Sequence, residues 1–231
     1  MKKKFMKIFF LNMIAALFFL LFNLLSSTSF IVFNQEYYEK EFFVNGVNDL
    51  IDKNTTSTIT KGLINYFKTG NNSFLNSSFF SQRDLLHLVD VRDLINKCLF
   101  HEFLCGAIFL FFLMLVFAYN KRKFFENSAL IFAVSSLALL VFFIFFIITK
   151  QSFHTEWVLF HEILFNNDLW LLNPRTDKLI VLFPETFFYK TIKLIFLISI
   201  FKSFLLFIIS LLTGVIFKKI HKKDKSKKRL F

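Results

Sequence analysis

The sequence predicts an α-helical integral membrane protein in which four transmembrane helices carry a small mixed α/β extracytoplasmic cap. Three observations predict this fold. Most apolar residues fall in four runs, at about 8–25, 99–119, 128–149 and 194–217, and each run is long enough to cross a hydrocarbon core of ~30 Å as a helix of ~20 residues. Lysine and arginine are concentrated beside alternate ends of these runs. The polar segments at the opposite ends contain amphipathic and strand-like patterns.

The apolar runs also divide the chain into its predicted parts. The first run follows a basic start, and its roughly 18 apolar residues exceed the ~7–15 of a signal peptide, so we expect an uncleaved anchor. The predicted order is the cytoplasmic N-terminus with the first span (1–25), the first part of the cap (26–98), the second span (99–119), a cytoplasmic loop (120–127), the third span (128–149), the second part of the cap (150–193), the fourth span (194–217) and a basic cytoplasmic tail (218–231).

The basic residues predict the orientation of the chain. More than half of the 28 Lys and Arg residues lie in 2–7, 121–123 and 218–229, whereas only Glu126 and Asp224 are acidic on the same side. Basic flanks are retained in the cytoplasm, so both termini are expected there. The net charge of +12 then reflects topology, and a nucleic-acid partner loses its support. The basic tail is expected to lie against anionic membrane lipid.

The first cap segment contains two predicted helices. Residues 57–70 form an amphipathic pattern that ends at Gly70, a favoured C-cap residue. Ser81, with Asp84 three residues later, forms a variant of the capping box, and a 3.6-residue apolar period then runs without a breaker toward the second span. Two polar stretches are predicted to be solvated loops: "KNTTSTIT" (53–60) and "GNNSFLNSS" (70–78).

The second cap segment begins with a predicted helix. Ser152 is a suitable N-cap for a helix over about 153–165. His154 and His161 lie seven residues apart on that helix, so they share a face. This helix therefore brings two imidazoles to the same side of the cap.

A hairpin is predicted after that helix. The stretches "DLWLL" (168–172) and "KLIVLF" (178–183) are predicted to be short strands, joined by a turn at Asn173 and Pro174. Pro184 suits the first turn of the helix that leads into the fourth span. These two strands are the basis for predicting a mixed α/β cap.

The histidines of the cap are the candidate functional residues. Asp84 and Asp90 lie three residues to either side of His87 on the same helix side, where a carboxylate can fix the tautomer and raise the basicity of the imidazole. The alternative is a charged helix face balanced by Arg83 and Arg92. A histidine near a membrane interface is by default a structural residue with a hydrogen-bonded polar tip.

A zinc site is a further possibility. His87, His154, His161 and the nearby aspartates can supply three nitrogen or oxygen ligands, although no H-E-x-x-H motif is present. The sequence also contains no G-x-S-x-G motif, glycine-rich phosphate loop or C-x-x-C motif. Residues for an acyl-enzyme or nucleotide mechanism are therefore not visible.

The stretches "RDLLHLVDVRDL" (83–94) and "FHEILFNNDLWLLNPRTDKLIVLFPETFF" (160–188) resemble the bacterial lipoprotein intramolecular transacylase family. The resemblance covers most of the chain, with four spans and both motifs in order. In the first motif, Asp84 stands where the family's pattern has Glu and Leu88 where it has Met. The second motif matches the pattern at Phe160, His161, Asn167, Asp168, Leu169, Trp170, Pro174, Asp177, Leu179, Ile180, Pro184, Glu185, Phe187 and Phe188.

The resemblance implies an acyltransferase of the bacterial cell membrane that requires no cofactor and no metal. Its substrate is a diacylated lipoprotein, whose sn-2 acyl chain moves from the diacylglyceryl-cysteine to the α-amino group of the same cysteine. The family's two functional histidines correspond to His87 and His161. The implied partners are the lipoprotein and membrane lipid, with no nucleic acid; the oligomeric state is left open.

Ester aminolysis agrees with these residues. An imidazole is a suitable base for an α-ammonium group of pKa ~7.7–8, and a second histidine can stabilise the oxyanion. We expect His87 to act as the base, with Asp84 or Asp90 orienting it, and His161 to polarise the carbonyl or pass the proton; the two roles can be exchanged. His154 is a lower-ranked supporting residue. The rival functions are a metal-dependent membrane hydrolase and a non-catalytic sensor or immunity-type protein.

Overall fold

The protein is predominantly α-helical in the computed structural model, which describes residues 2–71 and 78–227. The predicted loop at 70–78 lies largely outside the described residues. Short 3₁₀ turns at Val47–Asp49, Lys121–Lys123 and Thr149–Ser152 connect some of the helices. The helices are α1 (Lys2–Val32), α2 (Gln35–Val44), α3 (Lys53–Thr69), α4 (Gln82–Tyr119), α5 (Phe124–Ile148), α6 (Phe153–Leu164), α7 (Leu179–Leu182) and α8 (Glu185–Lys227).

Four helical stretches are long and apolar enough to cross a membrane, which confirms the predicted helical membrane protein. They are Lys3–Val32, Gln82–Tyr119, Lys121–Gln151 and Glu185–Ile220. The cytoplasmic position of the termini stays a prediction.

Helix α4 is much longer than a membrane is thick. Its 38 residues extend about 57 Å at 1.5 Å per residue, against a hydrocarbon core of ~30 Å. Its charged residues are concentrated between 83 and 97, and an almost uncharged apolar run follows residue 98. The part of α4 that crosses the hydrocarbon is therefore the later part, and His87 lies outside it.

The first of two compact units comprises Met1–Ser27, His101–Ile144 and Phe196–Phe231. Small residues allow helices to approach closely in a membrane, and the Ser135 hydroxyl donates a hydrogen bond of 2.9 Å to the backbone carbonyl of Ala16. The core of this unit is an apolar cluster from α1, α4 and α5: Ala15, Ala16, Phe19, Phe109, Val116, Ile131 and Phe132.

The second unit comprises Thr28–Phe100 and Phe145–Ile195, and aromatic rings form much of its interior. Tyr38 stacks on Phe187 with centroids 5.8 Å apart, and Phe42 lies 5.4 Å from Phe183. These contacts join α2 to the end of α7 and to the start of α8. The candidate functional residues predicted from the sequence all belong to this unit.

Helix α3 begins earlier than predicted, so the interpretation of 53–60 as a loop is wrong. The Asp52 carboxylate accepts hydrogen bonds from the N–H groups of Asn54 (2.9 Å) and Thr55 (3.1 Å), and this N-cap starts the helix at Lys53. The predicted end is confirmed, since Gly70 has φ +72° and its N–H donates to the carbonyl of Tyr66. A side chain on Gly70 would also collide with the Arg92 guanidinium.

The prediction of a mixed α/β cap is wrong. Among residues 2–71 and 78–227 no strand is present, and the segments predicted to form the cap are helical where the structure describes them. Residues 168–172 form a turn instead of the first strand, because the Asn167 side chain accepts a hydrogen bond of 3.0 Å from the N–H of Leu169. Short local bonds of this kind satisfy the backbone without a strand partner.

The second predicted strand is also replaced by a helical turn. Leu179–Leu182 forms α7, because the N–H groups of Lys178 and Leu179 donate to the Asp84 carboxylate at 2.8 and 3.2 Å. The first amides of a helix have no partner within it, so this carboxylate favours the helical conformation. The predicted turn before it is confirmed by a hydrogen bond of 2.8 Å from the Asp177 N–H to the Asn173 carbonyl.

Candidate active site

The first turn of α4 carries a buried carboxylate, Asp84, with 0% of its surface exposed. As the capping box predicts, the N–H of Ser81 donates to Asp84 Oδ2, and the N–H of Asp84 donates to Ser81 Oγ, both at 3.0 Å. Ser81 Oγ also donates to Asp177 Oδ1 at 2.7 Å. Together with its bonds to Lys178 and Leu179, Asp84 fixes the turn before α7 to the start of α4.

His87 lies one helical turn after Asp84, and only 8% of its surface is exposed. Its buried Nδ1 has no hydrogen-bond partner among the residues that the structure describes. Burial, with a smaller contribution from nearby His161, lowers the pKa of His87 to about 4 against the opposing charge of Asp90. His87 is therefore a neutral imidazole near pH 7, with one buried ring nitrogen that these residues leave unsatisfied.

His161 lies on α6 with 6% of its surface exposed. Its Nδ1 is 2.7 Å from the carbonyl oxygen of Trp157. A carbonyl can only accept a hydrogen bond, so Nδ1 carries the proton and Nε2 carries the lone pair. The Trp157 ring meets His161 edge-on at 4.4 Å, and Trp170 stacks on it at 4.9 Å. Burial lowers the pKa of His161, although the Trp157 carbonyl and Glu185 oppose this shift.

The two histidines form a pair. Their ring centroids are 6.1 Å apart and the rings are tilted by 38°. Phe165 contacts both, with its centroid 5.2 Å from His87 and 5.7 Å from His161. Two neutral imidazoles at this separation can act on one small polar group, with one accepting a proton and the other donating a hydrogen bond. The structure thus brings together the two residues ranked first from the sequence.

The carboxylates predicted to orient His87 have other partners. Asp84 accepts the backbone amides described above, and Asp90 Oδ2 accepts a hydrogen bond of 3.0 Å from the Asn167 side chain. Because His87 Nδ1 is unpaired, neither carboxylate orients the ring through that nitrogen. Asp84 supports the pair by fixing the backbone around it, and Asp90 ties α4 to the segment after α6.

His154 does not join the pair. Its side chain is 74% exposed, and its Nδ1 lies 2.6 Å from the Glu185 carboxylate. An exposed ion pair of this kind contributes ~0–1 kcal/mol to stability. The shared helix face predicted for His154 and His161 therefore brings His154 to Glu185 and not to His87.

An open groove of about 480 Å³ lies beside His161. Phe165 and Trp170, which contact the imidazole, form part of its wall. The remaining lining is mixed, with a carboxylate at Glu162 and polar groups from Asn166 and Asp168. This groove can hold a polar headgroup or a short peptide next to the histidine pair.

Three aromatic residues of the site were not predicted. Trp157 and Phe165 had no assigned role, and Trp170 was named only as a residue of the second motif. The spacing offered a signal for two of them, since Trp157 and Phe165 lie four residues to either side of His161 on one helix. Trp170 lies in the turn after α6, so the helical period did not predict its contact with the imidazole.

The zinc alternative has no ligand set in the part of the chain that the structure describes. Within 2–71 and 78–227, no three His, Cys, Asp or Glu side chains are close enough to hold a metal ion. Four helices that are long and apolar enough to cross a membrane, with a buried pair of imidazoles in the second unit, are typical of a helical membrane enzyme.

A family comparison gives the particular kind of enzyme. The model of the lipoprotein intramolecular transacylase Lit family matches residues 13–188, which include both histidines. This is most of the chain, so the chain belongs to the lipoprotein intramolecular transacylase family. It is an acyltransferase that moves an acyl chain within a lipoprotein. No curated protein matches its sequence.

Solved structures show the same fold. The chain is similar to the membrane-integral lipoprotein intramolecular transacylase Lit from Bacillus cereus, at 20% identity and a TM-score of 0.70 over 95% of this chain and 98% of that one. A variant of that protein with one histidine replaced by arginine matches at 20% identity and 0.73, over 93% and 95%. A variant with a histidine replaced by alanine matches at 21% and 0.71, over 93% and 96%.

Proposed function

We propose that His161 and His87 together transfer the sn-2 acyl chain of a diacylglyceryl-cysteine to the α-amino group of the same N-terminal cysteine. The observation that carries this proposal is the pair itself: two buried imidazoles with centroids 6.1 Å apart, inside the stretch that matches the family. The substrate is a membrane lipoprotein, and the product is its lyso-form, N-acylated with one acyl chain left on the glycerol.

His161 is the general base in this proposal. The hydrogen bond from Nδ1 to the Trp157 carbonyl leaves the Nε2 lone pair for the substrate amine. The same bond stabilises the imidazolium that forms when Nε2 takes a proton. The sequence had favoured His87 as the base with the roles exchangeable, and the tautomer of His161 favours the exchanged assignment.

His87 is the hydrogen-bond donor to the ester carbonyl. Its low pKa keeps it neutral, so one ring nitrogen carries a proton and the other does not. With Nδ1 unpaired by the protein, that atom can donate to the oxygen of the tetrahedral intermediate. A donor aimed at a developing oxyanion contributes about 2.7–4 kcal/mol to catalysis.

The reaction balances with these two residues. The amine nitrogen attacks the ester carbonyl carbon while His161 Nε2 takes the amine proton, and a C–N bond forms. The tetrahedral intermediate then collapses, the bond from the carbonyl carbon to the sn-2 oxygen breaks, and the departing glycerol oxygen receives the proton from His161. Donor ester and acceptor amine belong to one molecule, so holding them close supplies much of the rate acceleration.

The pair is placed on the extracytoplasmic side of the membrane in this proposal. The support is the charge pattern: basic residues flank the apolar runs at 2–7, 121–123 and 218–229, and such flanks stay cytoplasmic. The segments that carry His87 and His161 lie at the opposite ends of those runs. The groove beside Trp170 then receives the lipoprotein from the outer surface.

A crossover experiment tests the function. The full-length chain in phosphatidylethanolamine/phosphatidylglycerol vesicles receives two diacylated lipopeptides of different peptide mass, only one of which carries a deuterated sn-2 acyl chain. The transfer leaves the intact mass unchanged, so fragmentation mass spectrometry locates the acyl group. We expect the deuterated chain on the α-nitrogen of its own peptide only.

Other outcomes identify the rivals. A deuterated chain on the second peptide would show intermolecular transfer, and a released fatty acid would show a hydrolase. An unmodified α-amine in both peptides would contradict acyl transfer altogether. A metal-dependent hydrolase would in addition lose its activity on treatment with a chelator.

A further inference from the structure

Helix α6 exposes an apolar stripe that does not include His161. The exposed fractions are 52% for Leu159, 43% for Phe160, 69% for Ile163 and 40% for Leu164. At helical spacing these four residues lie on one side of α6, whereas His161 is 6% exposed and turned toward the second unit's interior. The helix thus buries a polar imidazole and exposes large apolar side chains, the reverse of a helix on a water-facing surface.

The stripe has a defined extent. It occupies the second and third turns of α6, and Glu156 lies on the same side one turn earlier, where it is partly buried. A charged residue occupies one flank, since Glu162 is exposed beside the stripe, and the exposed His154 lies on the side of the helix opposite the stripe. Leu171, 52% exposed, follows shortly after the helix. A narrow apolar side next to charged flanks is typical of a helix that lies in a membrane interface.

The start of α6 is attached to two membrane-crossing helices. Phe153, its first residue, lies edge-on to Phe146 in the last turn of α5, with centroids 6.2 Å apart. Phe153 also contacts Tyr189, near the start of α8, at 5.3 Å, and Phe146 stacks on Tyr189 at 5.1 Å. Only the 3₁₀ turn Thr149–Ser152 separates α5 from α6. The helix therefore begins where these spans leave the hydrocarbon.

We propose that α6 is an interfacial helix whose stripe, Leu159, Phe160, Ile163 and Leu164, is inserted among the acyl chains of the membrane lipids. An apolar face of this kind enters the bilayer by ~5–10 Å, and α6, with 12 residues, can lie in the interface along its whole length. Insertion on one side fixes the depth of His161 on the other side at the level of lipid headgroups. This inference does not depend on the proposed roles of the histidines.

Spin labels on neighbouring residues test the proposal in vesicles of phosphatidylethanolamine and phosphatidylglycerol. A chain with Cys98→Ser and Cys105→Ala receives either Ile163→Cys or Glu162→Cys, and each cysteine carries a nitroxide. Power saturation then measures collisions with oxygen, which is concentrated in lipid, and with a nickel chelate, which stays in water. We expect the oxygen-to-nickel ratio to be several-fold higher at 163 than at 162.

A second pair keeps the test independent of one variant. Leu159→Cys lies on the stripe and His154→Cys lies on the opposite side of the helix, where the His154 side chain is 74% exposed, so this pair should repeat the contrast. Equal nickel collisions at both members of each pair would show that the stripe faces water and would overturn the proposal. A label at 163 or 159 that is shielded from both reagents would show that protein, such as a second copy of the chain, covers the stripe, and would overturn it as well.

Discussion

The Nδ1 of His161 donates a hydrogen bond of 2.7 Å to the carbonyl oxygen of Trp157, one helical turn earlier. This bond fixes the tautomer of His161, since Nε2 is left as the acceptor. The indole of the same residue meets the imidazole edge-on at 4.4 Å, so Trp157 both orients His161 and excludes water from one side of it. A backbone carbonyl performs the orienting role that the sequence had assigned to a carboxylate.

The pH dependence of the transfer follows from the low pKa values of the pair. Both histidines act as neutral imidazoles, and burial lowers the pKa of His161 below its ordinary value of 6.5 and that of His87 to about 4. A lowered pKa means that the neutral form persists below pH 6.5. We therefore expect only the substrate amine, pKa ~7.7–8, to limit the rate between pH 6.5 and 7.5.

A plot of the logarithm of the initial rate against pH checks this expectation. It should have a slope of one below the pKa of the amine, and a slope of two only after a histidine also becomes protonated, at a pH below 6.5. A slope of two that begins at pH 6.5 or higher would show that the imidazole is solvated like an ordinary histidine. The measurement needs only initial rates of N-acyl product formation in vesicles buffered from pH 5 to 9.

Trp170 is expected to protect the base from water. Its ring stacks on His161 at 4.9 Å with a tilt of 25°, so Trp170→Ala exposes the imidazole and moves its pKa back toward 6.5. Because an imidazole with the ordinary pKa of about 6.5 is still mostly neutral at pH 7, the rate at pH 7 should fall by no more than about twofold, and the loss should grow as the pH is lowered. In the plot of log rate against pH, the pH at which the slope changes from one to two should be higher in Trp170→Ala than in the wild type. The increase should be smaller in Trp170→Phe. An unchanged profile in both variants would remove Trp170 from the site.

Asp84 is expected to matter for stability more than any other carboxylate near the pair. Both of its oxygens accept backbone N–H groups, and in Asp84→Asn one of these amides meets an N–H₂ group instead. An unsatisfied buried group costs ~1–3 kcal/mol, so thermal unfolding in detergent should occur at a clearly lower temperature. Asp90→Asn is the matched control, because its oxygen can still accept from Asn167. Equal effects of the two substitutions would contradict the structural role of Asp84.

His154 is expected to be dispensable for the transfer. Its exposed side chain pairs with Glu185 and makes no contact with His87 in the described structure. We expect His154→Ala to form the N-acyl product at a rate within about twofold of the wild type, since an exposed ion pair contributes at most ~1 kcal/mol. A loss of a hundredfold or more, as for a general base, would place His154 in the reaction.

Local sequence signals predicted several of the helices in the polar segments. The elements that they did not predict depend on contacts with residues far away in the chain. The Ser81–Asp84 capping box and Gly70 were recognisable because their partners lie within a few residues. The run Leu179–Leu182 has a strand-like composition, but it became helical because its first amides meet Asp84, far earlier in the chain. Nothing local to that run indicated the carboxylate.

His87 and His161 were each predicted as candidate residues, but the distance between them and the orientation of their rings were not predicted. Sequence spacing suggested carboxylates three residues from His87, yet Asp84 and Asp90 bond to backbone and to Asn167. The proximity of His87 to His161 depends on how α4 and α6 pack, and this is set by contacts such as Phe165 with both rings. The resemblance to a family supplied the pairing that the residue pattern left open.

The central claim is that His87 and His161 carry the acyl transfer. The most direct measurement is fragmentation mass spectrometry of the N-terminal lipopeptide of a reporter lipoprotein, co-expressed with the wild type, His87→Ala or His161→Ala at equal amounts in the membrane. We predict the N-acyl, monoacylglyceryl form with the wild type, and a ~10²–10⁴-fold loss of it with either variant. Its absence with the wild type, or its undiminished formation with either alanine variant, would contradict the account.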